Sequence, residues 1–448
     1  MLTIRGRHHR HCDGIGRRQF LRVGGLGLAG LTLADLLRND AKAATPAPRP
    51  KSIIYVVLSG GISHIDSWDL KPDAPADFRG AFKPIKTKVP GIDICEHFPR
   101  QAAIFDQLTL LRGVRSVEND HFLSEVYSGL PRTAGHRPAF GSVTSKLLGG
   151  HAAMPSYVSL ERATGGMFDF QKPYFAGTAH APFTPFDEGI DNLKPVKDLD
   201  QLSDRKALLG SFDTMRRSLD KSGALDGLDR FQSQALEMIT SSKVRDAFDV
   251  RREPEKVLLG YGHKAGKYSH QADIDIRYDW DAKPFLMARR LVEAGVRVVT
   301  LSVGSWDHHS GAKQQIFDSY KLVFPVLDQS ICALVDDLKD RGLDKDVLVV
   351  VLGEFGRTPK VTYPGPGREH WADAGSMIFA GGGLKMGQVI GETDSRAERS
   401  KSGSMSFQNV MATLYGVLGV DLSNTLIDFN GRPQNILEDK SPISELVG

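Results

Sequence analysis

Four stretches of the chain read as buried strands. SIIYVVLSGG (52–61), VRVVTLSVG (296–304) and DVLVVVLGEFG (346–356) are continuous apolar runs rich in Val and Ile, and each carries glycine at its end. A shorter run, SMIFAGGG, occupies 376–383. Unbroken apolar runs, as opposed to alternating ones, belong to strands covered on both faces, the situation of parallel sheets. Helical periodicity precedes two of them. FLMARRLVEA (Phe285–Ala294) passes through Gly295 into the second run. The segment Gln314–Lys339, where Pro325 predicts a kink, closes at Gly342 before the third. Strands alternating with helices predict βαβ units and a mainly parallel α/β sheet. In such sheets functional groups collect at the carboxyl ends of the strands.

Residues 195–250 depart from this pattern. ALLGSFDTMRRSLDKSG and FQSQALEMITSSKVRDAF are polar with helical spacing, and they predict a helical insertion in a domain that otherwise spans 51–448. Ahead of it, Gly165-Gly166, Pro173, Pro182 and Pro185 predict a long irregular loop.

The first 44 residues read as an address. GRRQFLR sets Arg17 and Arg18 just before Phe20 and Leu21, and a Gly/Leu-rich run follows from Val23 to Leu37. That run, interrupted by Asp35, is too short to span a bilayer. AKAA at Ala41–Ala44 offers an A-x-A cleavage site, and TPAPRP (45–50) forms a Pro-rich linker. Together these predict a twin-arginine signal peptide over 1–44, handled by the twin-arginine translocase, with a periplasmic or extracellular mature chain. Removing it changes the charge balance. Of 57 basic and 54 acidic residues, eight and three lie within 1–44, leaving 49 and 51, a net charge of −2. Nucleic-acid binding needs clustered positive charge, so no nucleic-acid partner is expected. Cys12 leaves with the signal, and one disulfide between Cys95 and Cys332 stays open. The absence of a CxxC pair argues against a zinc ribbon. No later apolar run reaches 18 residues, so no membrane span is expected in the mature chain.

The chemistry-bearing residues cluster where the apolar runs end. SGGISHIDSWD, GSWDHHSG and GEFGRT follow the three long runs, and GREHWAD and ENDHFLSEVYSG add further His and carboxylate groups. Carboxylates and imidazoles from several strand ends are what a zinc- or manganese-type site requires. Such an ion activates water and clamps the oxygens of a phosphoryl or sulfuryl group. Arg357 or Arg368 has the planar guanidinium that fits an oxyanion.

As a set, RRQFLRVGGLGLAGLTLADLL, LSGGISHIDSWDLKPDAP, GSWDHH, GEFGRTPKV, GREHW and FAGGGLKMGQVIGETD resemble the bacterial family known as domain of unknown function 1501, frequent in planctomycetes. That family is similar to the alkaline phosphatase and sulfatase superfamily. The resemblance implies a three-layer α/β/α sandwich and hydrolysis of phosphate or sulfate esters with one or two divalent ions, zinc, manganese, magnesium or calcium. It implies Asp307, His309, His370 and Glu354 as metal ligands, with Glu354 alternatively a general base. His121 would act in acid–base chemistry or touch substrate, and Arg357 would hold the anionic group. His64, Ser124 and Arg368 are the implied substrate contacts, and the substrate a sulfated or phosphorylated glycan or other anionic ester. Two departures stand out. Ser59-Gly60-Gly61 lies where such phosphatases carry an Asp, and Glu354-Phe355 replaces an Asp-His pair. They leave open a non-catalytic binding or assembly protein on the same scaffold.

Overall fold

A computed structural model describes residues 51–150, 154–161, 171–185, 241–262, 269–271, 277–311, 314–401 and 404–447. The expected leader and linker, Gly165-Gly166 and most of the expected helical insertion lie outside the described residues. Of that insertion the described part includes the helix Ser242–Phe248, capped by Ser241, whose hydroxyl accepts from the Val244 N–H.

Eight strands form the central sheet. Seven lie in one path: β1 (Ser52–Val57), β2 (Leu108–Arg115), β3 (Tyr157–Ser159), β4 (Val298–Ser302), β5 (Val347–Leu352), β6 (Gly375–Gly381) and β7 (Gln388–Ile390). The last, β8 (Met405–Ser406), pairs parallel with β2 off that path. The path order is β7-β2-β6-β5-β1-β4-β3. β1 lies parallel between β4 and β5, with Ile53 beside both Val298 and Leu348. Only β6 runs against its neighbours, antiparallel to both β5 and β2. The sheet is therefore largely parallel, and the three long apolar runs are its adjacent central strands.

Alternation along these strands separates two cores. Ile54, Val56, Val299, Leu301, Val349 and Val351 face one side. There they meet Leu286 and Leu291 of a helix over Lys283–Ala294, and Val323, Leu327 and Ile331 of a helix over Ile316–Asp340. Ile53, Tyr55, Val57, Val298, Leu348 and Val350 face the other side, against Phe140 and Val143 of Phe140–Leu148 and Val410 and Leu414 of Phe407–Leu418. Each fully buried side chain of this size contributes about 1.5–3 kcal/mol relative to exposure, which is why the runs stay apolar on both faces. In chain order these helices are α1 (Phe140–Leu148), α2 (Lys283–Ala294), α3 (Ile316–Asp340) and α4 (Phe407–Leu418). α2 ends at Gly295 in the left-handed region, φ 109°, where the missing Cβ lets the chain turn into β4. α3 continues through Pro325 without a break. Cys95 and Cys332 are separate buried thiols. Among the described residues no helix is long and apolar enough to cross a membrane.

Candidate metal centre

The loops after β1, β4, β5 and β2 leave the same edge of the sheet and are tied together by hydrogen bonds. The Trp306 N–H donates to Ser59 O at 3.0 Å, joining the β4 loop to the β1 loop. The Gly60 N–H donates to Glu354 Oε1 at 2.6 Å, joining β1 to β5. Gly60 adopts φ +101°, and a Cβ there would sit 2.5 Å from Asp307 N, so only glycine permits this approach. Beyond β5, Gly356–Arg357 pairs antiparallel with His370–Trp371, which brings His370 over the strand ends. The β2 loop is held by Ser116 N–H to Ala372 O at 2.9 Å, and it delivers His121.

Four side chains converge there. Asp307 Oδ2 lies 3.0 Å from His121 Nε2, and its Oδ1 lies 2.8 Å from His309 Nε2 and 3.2 Å from His370 Nε2. The His309 and His370 Nε2 atoms are 3.1 Å apart. One ligand atom from each of the four falls within 4.8 Å of all the others.

The outer nitrogens explain the orientation. His121 Nδ1 meets Glu354 Oε1 at 2.9 Å, His309 Nδ1 meets Glu369 Oε2, and His370 Nδ1 meets Asn119 O at 2.9 Å. Carboxylates and a peptide carbonyl only accept, so each Nδ1 carries a proton and donates it outward. In the neutral imidazoles the three Nε2 lone pairs then point inward at a carboxylate. That convergence is repulsive unless protons or a cation sit among the donors. The electrostatics follow. Burial alone would lower the His121 pKa, but hydrogen bonds to Asp307 and Glu354 outweigh it and push it up to about 9. The bond to Asp307 raises His309 against the opposing effect of burial. Burial would raise Asp307, yet the three imidazoles and the Arg357 charge hold its carboxyl far below the usual range.

These residues fit a divalent ion. Imidazoles steadied at the far nitrogen by carboxylate or carbonyl partners are the recurrent form of metal-binding histidine. The separations of Asp307 Oδ1 from the Nε2 atoms of His309 and His370, 2.8 and 3.2 Å, approach the ~3.4 Å edge of a tetrahedron with bonds of ~2.1 Å, and all four donors lie within 4.8 Å of one another. Glu354 is 3% exposed, and its Oε2 has no hydrogen-bond partner among the described residues.

Six of the expected residues meet here: His121, Asp307, His309, Glu354, Arg357 and His370. His121 lies in the candidate ligand group, while Glu354 stands behind it with Oε1 on His121 Nδ1. Arg357 is fully buried and donates through Nε to Gly61 O at 2.9 Å, through Nη1 to Arg368 O at 3.1 Å, and through Nη2 to Gly60 O and Asp307 Oδ1. Four of its five N–H groups are thus used inside the protein.

Three expected substrate contacts are not brought to the cluster. Arg368 is buried in a two-pronged pair with Asp66, at 2.7 and 3.0 Å, and also donates to the carbonyls of Phe78, Thr358 and Pro359. His64 is buried, its Nε2 on Ala397 O at 2.9 Å, and burial lowers its pKa. Ser124 opens a short helix and donates to Leu130 O at 2.9 Å. Glu369 and the Asn119 carbonyl are participants that lie in the loops GREHWAD and ENDHFLSEVYSG but to which the residue pattern gave no role. Glu369 adjoins His370, and that adjacency was the available signal, since Glu369 accepts from His309 Nδ1 while His370 Nε2 stands 3.1 Å from His309 Nε2.

Among solved structures the chain is similar to a PsFucS1 sulfatase from Pseudoalteromonas sp. at 12% identity, TM-score 0.38, covering 90% of this chain and 75% of that one. It is also similar to a protein in the alkaline phosphatase superfamily from Vibrio parahaemolyticus at 8% identity, TM-score 0.38, covering 84% and 68%. A third is the lipoteichoic acid synthase LtaP from Listeria monocytogenes, at 12% identity, TM-score 0.33, covering 83% and 72%. At such identities shared chemistry does not follow from shared shape. No curated protein matches the chain. The family model described as protein of unknown function (DUF1501) matches residues 50–447, and the chain belongs to that family.

Proposed function

We propose that the protein is an exported, metal-dependent hydrolase of phosphate or sulfate esters. The observation that carries this is the convergence of three Nε2 atoms on Asp307, each imidazole held from behind by an acceptor. His121, Asp307, His309 and His370 would hold the ion. A bound zinc- or manganese-type ion supplies Lewis-acid polarisation of an ester oxygen and charge stabilisation. Glu354 is the candidate base. Its Oε1 is fixed by Gly60 N–H and His121, and its Oε2, which has no hydrogen-bond partner among the described residues, can accept a proton from an attacking water. The reaction class is supported by the motif resemblance, and a sulfated or phosphorylated glycan outside the cytoplasm suits the twin-arginine leader.

The test uses purified, tag-free protein with a panel of aryl phosphate and aryl sulfate esters. Expected are stoichiometric metal and turnover that a chelator abolishes and added zinc or manganese restores. Asp307→Ala and His370→Ala should lose both metal and turnover. Absence of metal under every loading condition, or turnover that survives chelation, would overturn the proposal. Exchanging Arg17 and Arg18 for lysines should leave the chain in the cytoplasm, and undiminished export would remove the twin-arginine assignment.

One observation favours a second reading, a non-catalytic secreted binding protein. The buried Arg357 is occupied by Gly60, Gly61, Arg368 and Asp307, so its guanidinium is not free to clamp a substrate anion. Tight metal with no turnover on any ester of the panel is its signature.

A further inference from the structure

We propose that the centre takes a single divalent ion, and that the guanidinium of Arg357 stands beside Asp307 where a second ion would have to bind. The inference rests on the metal-centre reading above. A carboxylate bridging two ions must offer an oxygen to each, with the ions ~3.5–4 Å apart. Asp307 presents Oδ2 to His121 and Oδ1 to His309 and His370, but that Oδ1 is already met by Arg357 Nη2 at 2.5 Å.

Arg357 is built in, and it does not behave as an adaptable surface group. Its side chain is 0% exposed. Carbonyls of Gly60, Gly61 and Arg368 hold it from three points of the chain, and a guanidinium keeps its charge at any ordinary pH. A second divalent ion against Asp307 would lie in contact range of this fixed positive charge, with little water between them to screen it. Among the described residues one group of imidazoles and carboxylates converges closely enough to hold an ion. The nearby carboxylate, Glu354, already shares Oε1 between Gly60 N–H and His121, leaving Oε2 alone. Arg357 is accordingly a positioning residue. It supplies, through Asp307, the second positive charge that a two-ion centre would take from metal.

The decisive measurement is the number of ions per chain. Full-length, tag-free protein is loaded with excess Mn²⁺ or Zn²⁺, desalted against a weak chelator and analysed for metal. Its Mn²⁺ form is then read by low-temperature electron paramagnetic resonance. One ion per chain and an isolated six-line manganese signal are expected. Two ions per chain, or a spin-coupled signal, would overturn this proposal and leave the metal-centre reading standing. No ion at all would remove that reading, and this one with it. Arg357→Lys, which keeps the charge, should stay at one ion. Arg357→Gln, checked for folding by circular dichroism, should take a second ion at millimolar metal. A folded Arg357→Gln that stays at one ion would show that the guanidinium is not what excludes the second.

Discussion

Replacing Glu369 with alanine separates a role in the proposed metal centre from a role in the fold. In the protein Glu369 Oε2 accepts from His309 Nδ1, while its Oε1 accepts from Thr362 Oγ1 at 3.0 Å and Ser310 N–H at 3.2 Å. The side chain is 39% exposed, so water can reach the partners left behind, and the folding cost should stay near 1 kcal/mol. The effect on metal should be larger. Without the carboxylate nothing fixes the His309 proton on Nδ1 or holds the ring plane, and the Nε2 lone pair is no longer presented to the ion. Outer partners of this kind change metal affinity by ~10–100-fold, about 1.4–2.7 kcal/mol. Competition against a chromophoric chelator reads the affinity, and melting with and without metal separates linkage from intrinsic stability. Glu369→Gln keeps an acceptor oxygen without the charge and should fall between the wild type and alanine. The comparison is cleanest at this residue. Glu354 is buried, so its removal would orphan the Gly60 N–H as well, and the Asn119 carbonyl belongs to the backbone. An affinity within ~3-fold of wild type would refute the role of Glu369, as would a metal-free melting point lowered by as much as the metal-bound one.

Two further outcomes follow from buried groups away from the centre. Burial pushes the Glu161 carboxyl up to about 7, against hydrogen bonds with Tyr127 and Gln171. The folded chain therefore keeps a proton that the unfolded chain releases near pH ~4.5, so this contribution is complete below that pH and is lost as pH rises towards 7, by on the order of 3 kcal/mol. Glu161→Gln should flatten the stability profile across that window, and an unchanged slope in denaturant titrations would assign the effect elsewhere. Cys95, pushed up to about 12 by burial, and Cys332, raised further, should resist an aromatic disulfide reagent at pH 8 until the chain unfolds. Rapid labelling of either thiol in native protein would contradict the packing described.

The sheet was legible where burial on both faces made it so. β1, β4 and β5 announce themselves because nearly every residue is apolar when helices cover both sides, buried Ser52 and Thr300 being exceptions. β2, LTLLRGVR, did not, because Arg112 interrupts it. In the folded chain that side chain leaves the apolar surface, pairing with Asp69 at 3.2 Å and donating to Trp68 O at 2.7 Å. The reversed direction of β6 was equally hidden, since an apolar run carries no sign of which way it points. At the site, the loops were legible from their chemistry and the roles within them were not. Whether His121 or Glu354 joins the convergent donor group depends on side-chain direction, and residue types alone do not contain it.

The two arginines sharpen the same point. On sequence, Arg357 and Arg368 both look like anion binders, because a guanidinium in a glycine-rich loop near strand ends is where phosphate sites occur. In the fold each meets a different demand. The turns after β1 and β5 leave the parallel ladder, and the carbonyls of Gly60, Gly61, Phe78, Thr358 and Arg368 have to find donors in a buried setting. Two arginines supply them, and each also neutralises a buried carboxylate, Asp307 or Asp66. A guanidinium committed in this way does not turn to a substrate without orphaning several groups at once. In the proposed reaction the charge that meets the ester must then come from the ion, which is why metal-dependent turnover, more than any arginine variant, decides whether this chain is a catalyst.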